Sequence, residues 1–458
     1  VTFAAASGAT PGNYNLTITG TAPGLSPQST PVTINVIAPP STASLSMSFC
    51  NQPAWFAFQN QGATWQAATA SGNTVTIQAT ATLGVAYVFT SSVETDMFVY
   101  YATRDELAAR GTDDCPGTRA VSGSISGASV GQSVRVGMGA IDAVATQASP
   151  NFSLANVPSR TLDLIATKGT ITIDPAGNFY TKVVPDQLVM QRSLSSSASS
   201  VGTIDFAAQG FAPLSTNLTV ANTVAADSIH VANTFRSNTG THGAINVFET
   251  TATSNTLYSM PAANFAAGDL NELLVETYQP DFSGRYNYSY LGAMTDRTET
   301  LAPVLSSPSI SLVSPSPYVR LRGVLPVQAE YPTLVQFGYG QGGGNGPDRV
   351  VYVLVSAGFL GATPASSWTT TIPEFGNVTG LNTSWLPSSS IVSYYVEADG
   401  GPALALFGGP YSVGDNLRWA LRYGTNGALL HAGFKAKPWA QRAGVSVRAP
   451  GPRQYLRR

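Results

Sequence analysis

The chain has 458 residues, a formal net charge of −2, 43% hydrophobic residues and only 10% charged residues. This length suits roughly three domains, and the hydrophobic content argues against a disordered chain. The charge balance argues against a general nucleic-acid-binding protein, which needs a basic face. The sequence has no continuous run of 18 apolar residues, so it predicts no membrane-spanning helix.

The low charge is a second clue, because globular proteins average about 25% charged residues. Ser, Thr, Asn, Gln and Gly take the place of the missing charges. Neutral polar surfaces pack against neighbours at little desolvation cost. We therefore expect an extracellular or cell-surface location.

The first predicted unit spans residues 1–38 and consists of alternating strands with turns at 9–13 and 23–25. The step Gly12-Asn13-Tyr14, followed by NLTITGTA, resembles the last strands of a bacterial immunoglobulin-like domain. The resemblance implies that Tyr14 forms a tyrosine corner. The first half of such a domain is absent from the sequence.

Such a partial sandwich leaves strand edges unpaired. Two kinds of partner could complete it: residues ahead of Val1 in the encoded protein, or a neighbouring subunit that receives these strands by β-augmentation. Because the chain begins inside a strand-like segment, we expect that residues precede Val1 in the encoded protein. The predicted assembly residues are Tyr14, Leu16, Ile18, Val32, Ile34 and Val36.

Residues 45–117 form the next predicted module. Its two cysteines, Cys50 and Cys115, are the only cysteines of the chain. An isolated pair in a strand-rich, low-charge protein predicts a disulfide in an oxidising compartment; the alternative is two buried thiols. Thr103 and Glu106 have the spacing of a capping box and predict one short helix.

The densest aromatic cluster lies in the same module, around Trp55 and Trp65. Alternation places successive residues on opposite faces of a strand, and one face must belong to the core. These two rings therefore have two interpretations: part of the core, or a platform that stacks on extracellular polysaccharide.

Residues 118–168 contain a Val-x-Gly-x-Ile strand followed by a Phe-x-Leu-x-x-Val-Pro turn. This pattern resembles a carboxypeptidase-regulatory-like (transthyretin-like) β-sandwich. Modules of that family are usually non-catalytic spacers or binding scaffolds, so the resemblance implies no chemistry. Arg160 and Leu162 depart from the Gly and aromatic residue that the family has next. The matching residues are Val121, Gly123, Ile125, Phe152, Leu154, Val157 and Pro158.

The remaining chain predicts two β-sandwich regions, at 169–308 and 309–431. The tail at 432–458 has seven basic residues and no acid. It has two interpretations: a solvated end, or a segment that lies against its own chain, a neighbour or an acidic polymer.

A search for catalytic chemistry finds little. His230, His242 and His431 lack metal-ligand spacing. The acidic pairs are sequence neighbours that we predict to lie in solvated loops rather than in a cleft. Those pairs are Asp113/Asp114, Glu272/Glu276 and Glu397/Asp399.

Two glycine-rich motifs also lack the required context. The Gly-x-Ser-x-Gly run at 127–131 leads into a strand-like segment instead of a helix. The G-x-G-x-x-G run at 338–343 leads into more glycine and a proline. We predict a turn at the first and a hairpin loop at the second.

The sequence thus predicts an all-β, elongated array of immunoglobulin-like and transthyretin-like sandwiches with one short helix. We expect no enzyme activity, no metal and no cofactor. The leading hypothesis is a secreted structural protein that assembles with copies of itself into a filament or surface layer. The alternative is a carbohydrate-binding adhesin or an accessory module of a polysaccharide-processing system. A third hypothesis, a hydrolase of extracellular polymers, would require acids or histidines that converge in one cleft.

Overall fold

The computed structural model describes residues 10, 12–21, 23–24, 26–36, 41–110, 117–173, 180–225, 227–279, 283–342, 347–388 and 392–425. Within these ranges the chain forms 29 strands, four short α-helices and two 3-10 turns, at Ala262–Asn264 and Thr383–Trp385. The predicted all-β fold is confirmed, with three helices beyond the one that the sequence predicts. Several predicted features lie outside these ranges: Cys115, His431, Asp113, Asp114 and the basic tail at 432–458.

The first two strands form a hairpin. β1 (Gly12–Gly20) and β2 (Gln28–Val36) pair antiparallel and make a separate two-stranded sheet. Gly24, in the connecting turn, has a φ of +82°, a conformation that favours glycine. The strand predicted before residue 10 lies outside the described residues.

Residues 43–110 alternate strands with tight turns. In the segment TVTIQA, Val75 and Ile77 are buried and Thr76 and Gln78 are exposed, as expected for a strand with one covered face. The elements are β3 (Ala43–Ser48), β4 (Trp55–Asn60), β5 (Gln66–Ala67), β6 (Thr74–Ala79), β7 (Thr82–Thr90), β8 (Glu94–Thr103) and α1 (Arg104–Arg110).

α1 begins at the predicted capping box. The Thr103 N–H donates to Glu106 Oε2 at 2.8 Å, and the Glu106 N–H donates to Thr103 Oγ1 at 3.2 Å. Both donors would otherwise be left unpaired at a helix start.

The next segment folds into a sandwich over the residues that resemble a transthyretin-like module. Gly123 pairs with Phe152, and a Cβ on Gly123 would lie 2.5 Å from the Phe152 ring. The run at 127–131 joins two strands without a helix, as predicted. The elements are β9 (Thr118–Ser126), β10 (Ser133–Met138), β11 (Ile141–Thr146), β12 (Asn151–Pro158), β13 (Leu162–Ile173), β14 (Tyr180–Leu194), β15 (Ser200–Asp205) and α2 (Phe206–Gln209).

A second sandwich follows. Leu218 and Val220 point inward and pack with Val231, Leu273 and Val275. The strands are β16 (Leu214–Ala221), β17 (Ser228–Arg236), β18 (His242–Thr250), β19 (Ser254–Ser259), β20 (Leu270–Tyr278), β21 (Gly284–Leu291) and β22 (Arg297–Thr300).

The last segment supplies seven strands and two one-turn helices. The elements are β23 (Ser309–Ser314), β24 (Arg320–Pro326), β25 (Leu334–Gln341), β26 (Asp348–Ser356), α3 (Ala357–Leu360), β27 (Ser367–Thr371), β28 (Ser393–Gly400), α4 (Ala403–Leu406) and β29 (Asn416–Thr425). The loop predicted over 338–343 is wrong at Gly338 and Gly340, which lie inside β25. A Cβ on Gly338 would meet the Tyr395 ring at 2.2 Å, so glycine lets that ring lie across the strand.

One continuous sheet of 16 strands joins these segments, in the order β11-β10-β13-β14-β18-β17-β20-β21-β29-β28-β25-β26-β8-β7-β4-β5. β8 and β26 pair in parallel, so residues 43–110 and 309–425 share a sheet although the chain between them forms the other two sandwiches. Strands from both sides of the predicted domain limits at 117/118, 168/169 and 308/309 therefore belong to the same sheet. The domain limits themselves remain predictions.

The large sheet has two faces. Three three-stranded sheets are associated with one side, here called the sandwich face: β12-β9-β15, β19-β16-β22 and β23-β24-β27. On β7, Ala86 and Val88 point to this side, whereas Val85 and Tyr87 point to the other. The two-stranded β3–β6 sheet packs on that second side, here called the aromatic face.

Candidate functional site

The hairpin of β1 and β2 carries the predicted assembly residues on one face. Tyr14 pairs with Ile34 and Leu16 pairs with Val32. Because side chains alternate along a strand, these residues and Ile18 point to the same side. The structure therefore brings five of the six predicted residues together, and the side chain of the sixth, Val36, lies outside the described part of the chain.

This apolar face is open to solvent. Tyr14 is 42% exposed, Leu16 39% and Ile18 37%, while Val32 and Ile34 are partly exposed. An exposed stripe of large apolar side chains on a sheet marks a surface that gains free energy when another surface covers it.

The opposite face of the hairpin is polar and makes its own hydrogen bonds. Thr33 Oγ1 donates to Asn15 Oδ1 at 2.8 Å, and the hydroxyls of Thr19 and Ser29 lie 2.7 Å apart. These cross-strand pairs hold the register of the hairpin. The two faces are therefore chemically distinct, and only the apolar face gains free energy when another surface covers it.

No other strand among the described residues hydrogen-bonds to either outer edge of the hairpin. A two-stranded hairpin is marginally stable in water by itself. The hairpin thus combines an uncovered face with two open edges, which are the features that favour strand addition.

The two edges differ because of one proline. Pro31 in β2 lies opposite Thr17 in β1. Since proline has no N–H, it fits the ladder only where that N–H would point away from the partner strand. The outer edge of β2 therefore lacks a central donor, whereas β1 contains no proline and is the better pairing edge.

Tyr14 also fixes the entry of β1. Its hydroxyl donates to the carbonyl of Thr10 at 2.6 Å. This bond to the backbone four residues upstream is of the kind that a tyrosine corner makes. It agrees with the geometry that the immunoglobulin-like resemblance implies for Tyr14.

The two tryptophans of the polysaccharide hypothesis are not arranged as a binding platform. Trp55 is 6% exposed, its Nε1 donates to the carbonyl of Thr379 at 3.1 Å, and its ring meets Phe375 edge-on. Trp65 is half-buried and also meets Phe375 edge-on. Because Trp55 is buried, the two tryptophans together do not present the exposed ring faces that sugar stacking requires.

The predicted disulfide stays a prediction, because Cys115 lies outside the described residues. Cys50 follows Phe49, at the end of the sheet formed by β3 and β6. Asn73 Nδ2 donates to the Cys50 carbonyl at 3.1 Å, which fixes the local backbone.

The acids predicted to lie in loops are instead on the aromatic face, within strands. Glu272 in β20 is buried and accepts from Tyr288 Oη at 3.1 Å; its other polar neighbours are His242 Nδ1 at 3.1 Å and Arg236 Nη1 at 3.6 Å. Burial opposes ionisation, but His242 and Arg236 outweigh it, so the pKa of Glu272 lies below its ordinary value.

A second pair lies four residues further along β20, with its histidine on β17. Glu276 Oε1 lies 2.7 Å from His230 Nδ1. Burial lowers the pKa of His230, yet the attraction of Glu276 and Glu249 raises it above its ordinary value overall. Both described histidines are therefore partners of strand carboxylates, which corrects the loop prediction for Glu272 and Glu276.

Glu397 and Asp399 lie two residues apart in β28 and point to this same face. Burial raises the pKa of Glu397 to about 7. Burial and the neighbouring Glu397 raise the pKa of Asp399 well above its ordinary value. The loop prediction is wrong for this pair as well, because both residues belong to the centre of the large sheet.

These ionisable groups lie in separate pairs on strands of the large sheet. In the described part of the chain, no group of three or more His, Cys, Asp or Glu side chains is placed to hold a metal ion. Nor is any helix among those residues long and apolar enough to cross a membrane. The ionisable side chains pair within the sheet, whereas the hairpin has the exposed apolar surface, so the hairpin is the candidate functional site.

Comparisons with known proteins identify no family. No family profile matches the chain, and no curated protein matches it. One similar solved structure is a tetra-tandem repeat in the extending region of a large adhesion protein. It shares 11% identity over 85% of this chain and 100% of its own, with a TM-score of 0.14, a value too low to support any inference about fold or function.

Proposed function

We propose that the chain is a secreted, non-catalytic structural protein that assembles with copies of itself into an extracellular filament or surface layer. The observation that carries this proposal is the hairpin of β1 and β2. Its apolar face, formed by Tyr14, Leu16 and Ile18, is exposed, and none of the described strands pairs with its edges.

Strand addition from a neighbouring copy would pair an open edge of the hairpin and cover its apolar face at the same time. Main-chain hydrogen bonds at an open edge supply affinity, and alternate side chains supply specificity. Gly12–Val36 contains no charged residue, so no charge would have to be desolvated on docking.

The proposed extracellular location has two supports. The chain has only 10% charged residues, which suits neutral surfaces that pack against one another. The predicted pairing of Cys50 and Cys115 would require an oxidising compartment.

Two aspartate variants on opposite faces of β1 test the proposal. Fully burying an exposed leucine contributes about 1.5–3 kcal/mol. Leu16 is 39% exposed, so covering it contributes a part of this, and an unpaired carboxylate at the same place adds the cost of its desolvation. We expect Leu16→Asp to raise the concentration needed for assembly at least tenfold, measured by sedimentation velocity and electron microscopy. Thr17→Asp adds the same charge on the polar face and should assemble like the unaltered chain.

Deletion of residues 1–38 should abolish assembly and leave the circular dichroism of the remaining sheets unchanged. Regular polymers from the deleted chain would contradict the proposal. An unaltered chain that stays a single particle at high concentration would contradict it equally.

A further inference from the structure

β23 is an edge strand with an unusual surface. It pairs with β24 alone, at the border of the β23-β24-β27 sheet. Leu312 is 47% exposed and Val313 46%, and the strand SISLVS contains no charged residue. An uncharged, apolar outer edge is a template for pairing with another strand.

The other edges of the described sheets lack this combination. β22 has Arg297 and Glu299, and β11 has Asp142, charges that oppose strand addition. The edge strands β3 and β19 expose no large apolar side chain. Outside β1, β23 alone among the described strands has two exposed large apolar residues.

The local pairing explains why Leu312 and Val313 are exposed. Leu312 lies opposite Leu321, which is fully buried in the core beneath β24. Leu312 therefore points to the core side but stands at its open border. The register shifts between Leu312 and Ser314, which leaves Val313 with no residue opposite it.

We propose that the outer edge of β23 accepts β1 from a second copy of this chain. This inference rests on the proposed self-assembly and names its acceptor. Strand addition would place Leu16 and Ile18 beside Leu312, so that the apolar face of the hairpin continues the core. Neither strand has a charged residue, so the two edges match in charge as well as in pattern.

The position of the hairpin favours a second copy over the hairpin of the same chain. Leu45 and Met47 of β3 pack on the aromatic face, whereas Leu321 of β24, the partner of β23, packs on the sandwich face. Stacked sheets lie about 10 Å apart, so β3 and β23 are separated by roughly 20 Å through the large sheet.

The two strands are also separated sideways. Phe49, directly after β3, contacts Phe56 of β4 and Tyr87 of β7, whereas β24 lies over β25, since a Cβ on Gly323 would contact the Phe337 ring at 3.3 Å. At about 4.8 Å per strand, the step from β7 to β25 adds roughly 14 Å. The path around the sheet edge is longer than either distance. The seven steps from Val36 to Ala43 span at most about 25 Å, and the hairpin adds about 13 Å from Val36 to Val32, which lies opposite Leu16. In the structure β23 pairs with β24 and not with the hairpin of its own chain, which favours a second copy.

Charge variants on β23 test the acceptor. Leu312→Lys with Val313→Lys places two cations on the proposed edge. Val130→Lys with Val413→Lys adds the same charge at positions that are 87% and 64% exposed and lie in turns outside the strands. We expect the first pair to raise the concentration needed for assembly at least tenfold and the second pair to leave it unchanged.

Crosslinking provides a readout that does not depend on how the lysine variants fold. Thr17 is replaced by the photoreactive residue benzoylphenylalanine, and the labelled chain is mixed with a chain grown in heavy nitrogen. We expect light-to-heavy crosslinks in the tryptic peptide that spans 298–320. Crosslinks between copies that map elsewhere, or normal assembly of the β23 lysine variant, would overturn the proposed acceptor.

The two proposals fail in different ways. If Leu16→Asp blocks assembly while the β23 variant assembles normally, β23 is not the acceptor and self-assembly through the hairpin stands. If Leu16→Asp assembles normally, self-assembly through the hairpin is wrong, and the acceptor assignment falls with it.

Discussion

Ser356 Oγ donates to Glu106 Oε2 at 2.6 Å, although the two residues are 250 positions apart in the chain. Glu106 closes the capping box of α1, and Ser356 accepts from the Phe359 N–H at 3.0 Å to start α3. One hydrogen bond thus links the starts of two helices that follow the parallel strands β8 and β26. It connects residues 43–110 to residues 309–425 at the end of the sheet where β8 and β26 both finish.

This bond predicts a stability effect for Glu106, which is 3% exposed. Glu106→Ala would leave the Thr103 N–H and the Ser356 hydroxyl without their acceptor, at a cost of about 1–3 kcal/mol. Urea unfolding measures the loss. Asp105→Ala removes an exposed carboxylate from the same helix and should change the unfolding free energy by less than about 0.5 kcal/mol. Equal effects from the two variants would contradict the structural role of the bond.

Gly123 supports a second prediction. A Cβ at this position would lie 2.5 Å from the Phe152 ring and 2.9 Å from the Gly202 carbonyl oxygen. Gly123→Ala should therefore destabilise the chain by about 1–3 kcal/mol through overpacking. Gly117→Ala is the matched control, because its nearest neighbour would lie at an ordinary 3.9 Å. Thermal unfolding that is unchanged in Gly123→Ala would show that β9 and β12 do not pack as closely as described.

Local sequence patterns predicted local structure well. The capping box at Thr103 and Glu106 forms as expected, since its two donors and acceptors lie within one helical turn. The alternation of Tyr14, Leu16 and Ile18 predicted one apolar face, because a strand places every second side chain on the same side.

The long-range pairings could not be predicted in the same way. The parallel register of Asp348 with Glu94 leaves no periodic signal in either segment. The sequence predicts loops for Glu272 and Glu397 because each is only a sequence neighbour of another acid and nothing in the local pattern marks it as inward-facing. Their burial depends on the sheet order, which brings His242 and Arg236 beside Glu272.

Trp55 distinguishes a core role from a sugar-binding role. Trp55→Ala should destabilise the chain by about 3–5 kcal/mol, the usual cost of removing a buried tryptophan. Trp55→Phe keeps an aromatic ring beside Phe375 but loses the bond to the Thr379 carbonyl and the extra volume of the indole, so its loss of stability should be smaller than that of Trp55→Ala. Urea unfolding compares the two variants. A fully stable Trp55→Ala chain that loses retention on a polysaccharide column would restore the glycan-binding interpretation.

The carboxyl pair in β28 predicts how stability varies with pH. The pKa of Glu397 rises from 4.5 to about 7 in the folded chain, so the folded state binds more protons than the unfolded state between these values. Its contribution to stability is therefore present below pH 4.5 and is lost as the pH rises through about 7. His230, whose pKa is also raised, acts with the same sign, present below pH 6.5 and lost as the pH rises through its folded value.

Substitution separates the contribution of Glu397 from that of His230. In Glu397→Gln the histidine and Glu276 are unaltered, so the unfolding free energy should fall less steeply between pH 5 and pH 8 than in the unaltered chain. Urea unfolding at four pH values across this window measures the difference. Asp105→Asn, an exposed carboxyl change, should keep the original slope. Asp399, whose pKa is also raised, keeps its own contribution in Glu397→Gln, so the slope should be reduced and not abolished. Identical slopes in all three chains would show that Glu397 does not contribute to it.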